Sequence, residues 1–195
     1  MNVLILPCFE ESPQSHWYSW LAGVLEELGF KAKVLAMPDP WSPKLECWLD
    51  RLQQNVSAPQ QTVVIGHSIG AITALFYSHA LVSQSQVLAG LILLGASRDY
   101  GHSALASFRT NGLDFDVSSQ GVREDVLIIQ GQKDQHVPQS EAETLAKLLK
   151  AQLVLSKTDH LGRRGSHSTR YLPTDVLGAI VGYVKAVRRI ANGGQ

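Results

Sequence analysis

The chain has 195 residues, 45% hydrophobic and 17% charged, with 17 basic and 17 acidic side chains and a formal net charge of zero. That length suits one domain with a full core. The balance excludes the basic footprint of a nucleic-acid binder, and the apolar fraction excludes a disordered chain. The two cysteines, Cys8 and Cys47, match no metal spacing and no disulfide framework. The first residues lack the basic start of a leader, so the expected setting is cytoplasmic. The longest apolar stretch, residues 87–96, is too short to cross a bilayer, so no membrane partner is expected.

In chain order, short solid apolar runs alternate with longer runs at helical spacing. Residues 3–6 read as a strand, and Trp17, Trp20, Leu21, Val24, Leu25 and Leu28 then follow helical spacing up to a stop at Gly29. Residues 32–36 read as a second strand. Ser42-Pro43 opens a helix with Leu45, Trp48, Leu49 and Leu52 on one face. A third strand at 62–65 precedes a helix marked by Ile72, Leu75 and Phe76, and a fourth strand spans 91–94. A fifth strand spans 126–129. Ser140-Glu141-Ala142-Glu143 is a capping box opening the next helix. A sixth strand at 153–155 and a last helix through Val176, Ile180, Val184 and Val187 close the chain.

Strands without polar alternation are buried on both faces, as parallel strands under helices are. The order predicts an α/β fold: one open, mostly parallel six-stranded sheet with helices on both faces. One domain is expected over 1–191, followed by a frayed tail at 192–195. Chemistry in such sheets sits beyond the carboxyl ends of the strands, which directs the search to the loops there.

After the third strand stands Gly66-His67-Ser68-Ile69-Gly70-Ala71, a G-x-S-x-G at a strand-to-helix turn. Such a turn lifts a serine hydroxyl out of the sheet edge, and glycines two residues away on each side relieve its crowding. Ser68 is therefore the candidate nucleophile, against the plain reading of a helix N-cap. A serine needs a base, and the base an orienting carboxylate, in the chain order Ser, Asp, His on this fold. Asp134 follows the fifth strand and His160 the sixth. Of the other histidines, His167 in the same loop is the rival base. His16, His79 and His102 are poorly placed, His67 lies inside the elbow, and His136 is close to Asp134. Two backbone N–H groups should hold an oxyanion: Ile69, and one after the first strand, Phe9 with Cys8 second.

These residues carry a resemblance. Pro7 after the first strand, Trp17-Tyr18-Ser19-Trp20, Met37-Pro38-Asp39-Pro40, the elbow, Asp134-Gln135-His136-Val137-Pro138 and His160 together resemble the small serine hydrolases related to retinoblastoma-binding protein 9 and YdeN. That family belongs to the α/β-hydrolase superfamily. The resemblance runs over nearly the whole chain and implies a compact hydrolase with no large cap and a Ser68-Asp134-His160 triad. The sequence departs from the family pattern at Cys8 and Asp159, where the family favours glycine. It also has a basic stretch at 161–172 with Arg163, Arg164 and Arg170.

Cys8, Trp17, His67, Tyr100 and His136 are the candidate substrate-pocket residues. The connection 97–125 reads equally as a partial wall of that pocket or as a plain link. The expected activity is hydrolysis of a small carboxylic ester through an acyl-enzyme, with no metal or organic cofactor and no identified protein partner. Amide, thioester or peptide hydrolysis stays open, as does a binding or scaffold protein that keeps the fold.

Overall fold

The computed structural model describes residues 1–161, 163–164 and 167–193, without the side chains of Arg163, Arg164, His167 and Ser168. The basic pair Arg163 and Arg164 and the rival base His167 thus lie, as side chains, outside the described residues, as do the last two residues of the tail. The elements in chain order are β1 (Asn2–Leu6), α1 (Tyr18–Glu27), β2 (Lys31–Val34), α2 (Leu45–Asn55), β3 (Thr62–His67), α3 (Ile69–Val82), β4 (Gly90–Leu94), α4 (Phe115–Gln120), β5 (Leu127–Gly131), α5 (Gln139–Leu149), β6 (Gln152–Ser156), β7 (Arg163–Arg164), β8 (His167–Ser168) and α6 (Thr174–Ala191). The first six strands form one sheet in the order β2-β1-β3-β4-β5-β6, every pairing parallel. β7 and β8 are a short antiparallel pair beyond it.

The sheet separates two apolar layers. Alternate residues of the inner strands face each way. Leu4, Val64 and Leu93 pack with Trp48, Leu75 and Leu145 from α2, α3 and α5. Val3, Ile65 and Ile92 pack with Leu21, Val176 and Val184 from α1 and α6. β3, β4 and β5 are buried along their full length, as unbroken apolar runs predict. The outer strands depart from that expectation. β2 exposes Lys31 and Lys33, and β6 is largely half-buried, because each has a neighbour on one side only. Exposed lysines on an edge strand also discourage pairing with another chain.

Two helix starts differ from the sequence expectation. α2 begins at Leu45 rather than at Ser42-Pro43, with its Leu45 N–H bound by Ser107 Oγ at 3.3 Å. The capping box does not form. α5 starts at Gln139, so Ser140 is already inside the helix, and Gln139 Nε2 donates to Glu143 Oε1 at 2.7 Å instead. The cause lies just upstream, where Asp134 Oδ1 takes the N–H groups of both His136 and Val137 and draws the chain tight into Pro138.

Candidate active site

β3 ends at His67, and the chain turns at Ser68 with φ 54° and ψ −118°, conformations seldom held by a residue with a side chain. Packing enforces the turn. A Cβ on Gly66 would lie 2.4 Å from the Ala71 Cα, and one on Gly70 would lie 2.6 Å from the Pro7 carbonyl. The Ser68 N–H is anchored to the Leu94 carbonyl at 2.8 Å, and α3 starts at the next residue. Ser68 is therefore held by backbone on both sides.

His160 and Asp134 arrive from neighbouring strands. β5 and β6 are paired, and Lys133 N donates to Thr158 O at 2.9 Å, so the two loops run together beyond the sheet. His160 Nδ1 lies 2.5 Å from Asp134 Oδ2, with the His160 side chain 4% exposed and that of Asp134 fully buried. Asp134 Oδ2 also accepts from Gln130 Nε2 at 3.0 Å, and Oδ1 accepts from His136 N and Val137 N at 2.8 and 2.9 Å. Burial by itself pushes the Asp134 carboxyl up. The hydrogen bond and charge of His160 and the two backbone N–H groups overcome it and hold the carboxyl below the usual aspartate range. The His160 ring is flanked by His67 at 4.9 Å and by His136, edge-on, at 5.3 Å between centroids.

Ser68 and His160 open on one cavity of about 300 Å³, which Phe9, Glu10, Tyr100, His102, Leu105 and His136 complete. Among the described residues Ser68 makes no direct hydrogen bond to His160; the hydroxyl of Tyr100, which lines the same cavity, accepts from Ser97 N at 3.2 Å. Burial raises the Tyr100 phenol far above its ordinary range, so it remains a neutral hydroxyl. Residues 97–125 act both as a wall and as a link. Tyr100 and Leu105 line the cavity, while Phe108 is buried against Trp48 with ring centroids 5.6 Å apart.

Of the pocket residues expected from sequence, Tyr100 and His136 line the cavity and the other three do not. Trp17 is fully buried beneath it, its Nε1 donating to the Leu161 carbonyl at 2.6 Å. His67 is fully buried on the opposite side of the chain from Ser68, with Nδ1 2.8 Å from the Tyr18 hydroxyl. Cys8 is 1% exposed, and its N–H donates to that same hydroxyl at 3.0 Å. Consecutive residues of an extended segment face opposite ways, so neighbours of lining residues point into the packing. Because the Cys8 N–H is already engaged, Phe9 is the better placed of the two candidates for a second oxyanion donor. Among the described residues neither the Phe9 nor the Ile69 N–H is bonded within the protein.

Sequence reading missed Glu10, His102 and Leu105 at the cavity, Gln130 behind Asp134, and Gly95 under His160. Gly95 has φ +55°, and a Cβ there would sit 2.8 Å from His160 Cε1. Its presence in the strand-end segment Gly95-Ala96-Ser97 was the available signal.

The parallel sheet order, the strained serine turn after β3 and the loop cluster at the strand ends define an α/β-hydrolase. A crystal structure of YdeN from B. subtilis superposes with a TM-score of 0.80 at 26% identity, covering 94% of this chain and 98% of that one. Est1E from Butyrivibrio proteoclasticus shares the fold at a TM-score of 0.73 and 15% identity, over 95% of this chain and 87% of its own. In sequence, YdeN of Bacillus subtilis (strain 168) is 31% identical over 157 residues, 78% of this chain and 80% of that protein. The serine hydrolase RBBP9 of Rattus norvegicus is 33% identical over 86 residues, 44% of each chain. The family model described as serine hydrolase matches residues 3–173, and the chain belongs to that family. No helix among the described residues is long and apolar enough to cross a membrane.

Proposed function

We infer that the protein hydrolyses small carboxylic esters, with Ser68 as nucleophile, His160 as general base and acid, and Asp134 as the group that orients the imidazole. The observation that carries this reading is the serine on its strained turn, sharing one cavity with a histidine whose far nitrogen is locked to a buried carboxylate at 2.5 Å. With Nδ1 engaged by Asp134, the Nε2 of His160 is the atom left to take the Ser68 proton. Ser68 Oγ attacks the acyl carbonyl and passes its proton to Nε2. The carbonyl electrons move onto oxygen, held by the Ile69 and Phe9 N–H groups. His160 returns the proton to the departing alkoxide. Water then gives a proton to the same nitrogen and attacks the acyl-enzyme, and as the acyl–oxygen bond breaks His160 returns that proton to Ser68 Oγ, releasing the acid. A cavity of about 300 Å³ at the lower end of ligand-pocket sizes favours a short acyl group. The walls from Phe9 and Leu105 offer it apolar contact.

Labelling by a fluorophosphonate probe and turnover of a chromogenic acetate ester test this reading together. Wild type should label and turn over, and Ser68→Ala should do neither. Ser68→Ala and His160→Ala should each lose about 10⁴ to 10⁶ in kcat, and the double variant little more, since the two act as a unit. Well-folded protein that neither labels nor turns over would favour a binding or scaffold role. Turnover of amides or thioesters in preference to esters would shift the substrate class.

A further inference from the structure

The loop from β1 to α1 carries ligand-type side chains that ester hydrolysis does not use. Cys8 Sγ, a Glu11 carboxylate oxygen and a His16 ring nitrogen lie within 4.8 Å of one another. Among the described residues this is the one group of three His, Cys, Asp or Glu side chains gathered so closely. Cysteine spacing alone predicts no metal site; the loop's fold adds Glu11 and His16 to Cys8. The His16 side chain is 3% exposed, and its Nδ1 has no hydrogen-bond partner. Its Nε2 stands 2.8 Å from Glu11 Oε1 but out of line for a hydrogen bond. A buried imidazole with Nδ1 unpartnered and Nε2 meeting its carboxylate only as an ion pair, with no hydrogen bond, is rare in folded proteins and points to a missing partner.

We propose that Cys8, Glu11 and His16 form a three-ligand site for a zinc-class divalent cation. Thiolate, imidazole and carboxylate together are a zinc-type donor set, and three protein ligands leave a fourth position for water. Harder cations such as magnesium and calcium disfavour the sulfur. With metal–ligand bonds of about 2.0–2.3 Å, tetrahedral ligand atoms stand roughly 3.3–3.7 Å apart. The 4.8 Å span therefore closes with side-chain shifts of about 1 Å. Binding removes the Cys8 thiol proton, so each cation bound forms one metal–sulfur bond and releases one proton to solvent. The site lies one residue from Phe9, and Cys8 is tied through Tyr18 to His67. A bound cation would thus brace the loop that carries the Phe9 N–H. The proposal does not depend on the ester reading.

The test uses the full chain carrying Cys47→Ser, which removes the exposed thiol, with cobalt(II) as a spectroscopic stand-in for zinc(II). One equivalent of cobalt should bind with a thiolate-to-cobalt charge-transfer band, release one proton, and be displaced by zinc. Adding Cys8→Ser should abolish the band and weaken binding at least about tenfold, since even outer-shell partners of a metal cost that much. His16→Asn, with a residue that tolerates the φ of 50° at that position, should weaken binding to a similar extent while keeping the band at higher cobalt. If Cys8→Ser fails to fold, His16→Asn decides. Absence of the band at stoichiometric cobalt, or equal affinity in His16→Asn and its parent, would overturn the proposal.

Discussion

Replacing Gly95 by alanine sets a methyl group against the His160 ring. The new Cβ would stand 2.8 Å from Cε1 and 3.1 Å from Nδ1. Carbon contacts are comfortable at about 3.5–4.0 Å, so the ring must recede by roughly 0.7 Å or more. It has little room to do so. His67 and His136 flank it, and its Nδ1 is held to Asp134 at 2.5 Å, so the movement stretches that bond and carries Nε2 away from Ser68. A misplacement of about 1 Å in a reacting group costs about 10²-fold, and kcat for a small ester should fall roughly 30- to 100-fold. Stability falls too. The left-handed backbone at φ +55° costs alanine about 1–2 kcal/mol, and the ring contact adds a comparable amount. For a domain of this size that lowers Tm by roughly 4–16 °C. Gly112→Ala separates the two effects, because Gly112 has φ +82° with nothing within 4 Å of a Cβ. It should show the backbone part of the Tm loss with kcat unchanged. The assay is steady-state hydrolysis with active sites counted by the acyl-enzyme burst, alongside thermal melts. If Gly95→Ala kept kcat within about threefold of wild type while melting like Gly112→Ala, the position of His160 would not govern the reaction.

Asp134 links the site to acid stability. Its carboxyl is held below its ordinary range in the folded protein, so its contribution is fully present above about pH 4 and is lost as pH falls through the folded value. Denaturant midpoints should fall below about pH 4 more steeply in wild type than in Asp134→Asn; parallel curves would remove Asp134 from the linkage. Asp134→Asn should also lower kcat by about 10⁴ through loss of the correct imidazole tautomer, and lower Tm at neutral pH because the ionised carboxylate's contribution is gone. Tyr18→Phe leaves the buried Cys8 N–H and His67 Nδ1 without their shared hydroxyl, and urea unfolding should register a loss of about 1–3 kcal/mol. Wild-type stability in Tyr18→Phe would mean that other groups satisfy both atoms.

The proposed reactive groups were legible in the sequence because each depends on local rules. The serine turn needs two glycines at fixed offsets from Ser68, and the strand ends locate Asp134 and His160 without knowledge of sheet order. The parts that hold them depend on distant pairings. Gly95 matters only because β4 lies between β3 and β5, which brings its α-carbon under a ring 65 positions later in the chain. Gln130 matters because its amide spans Asp134 Oδ2 and the Val137 carbonyl across the β5 loop. Trp17 was misread as a lining residue for the same reason. Its place before the first helix is local, but its indole is directed by a hydrogen bond to Leu161, 144 positions away. That bond reaches the residue next to His160, and Leu161 itself has φ 51°, so Trp17 fixes the backbone on which the proposed base is mounted. Chemistry here is written in short motifs, while its geometry is written in contacts between strands. Variants at Gly95, Gln130 and Trp17 therefore disturb the geometry while leaving all three proposed reactive side chains in place.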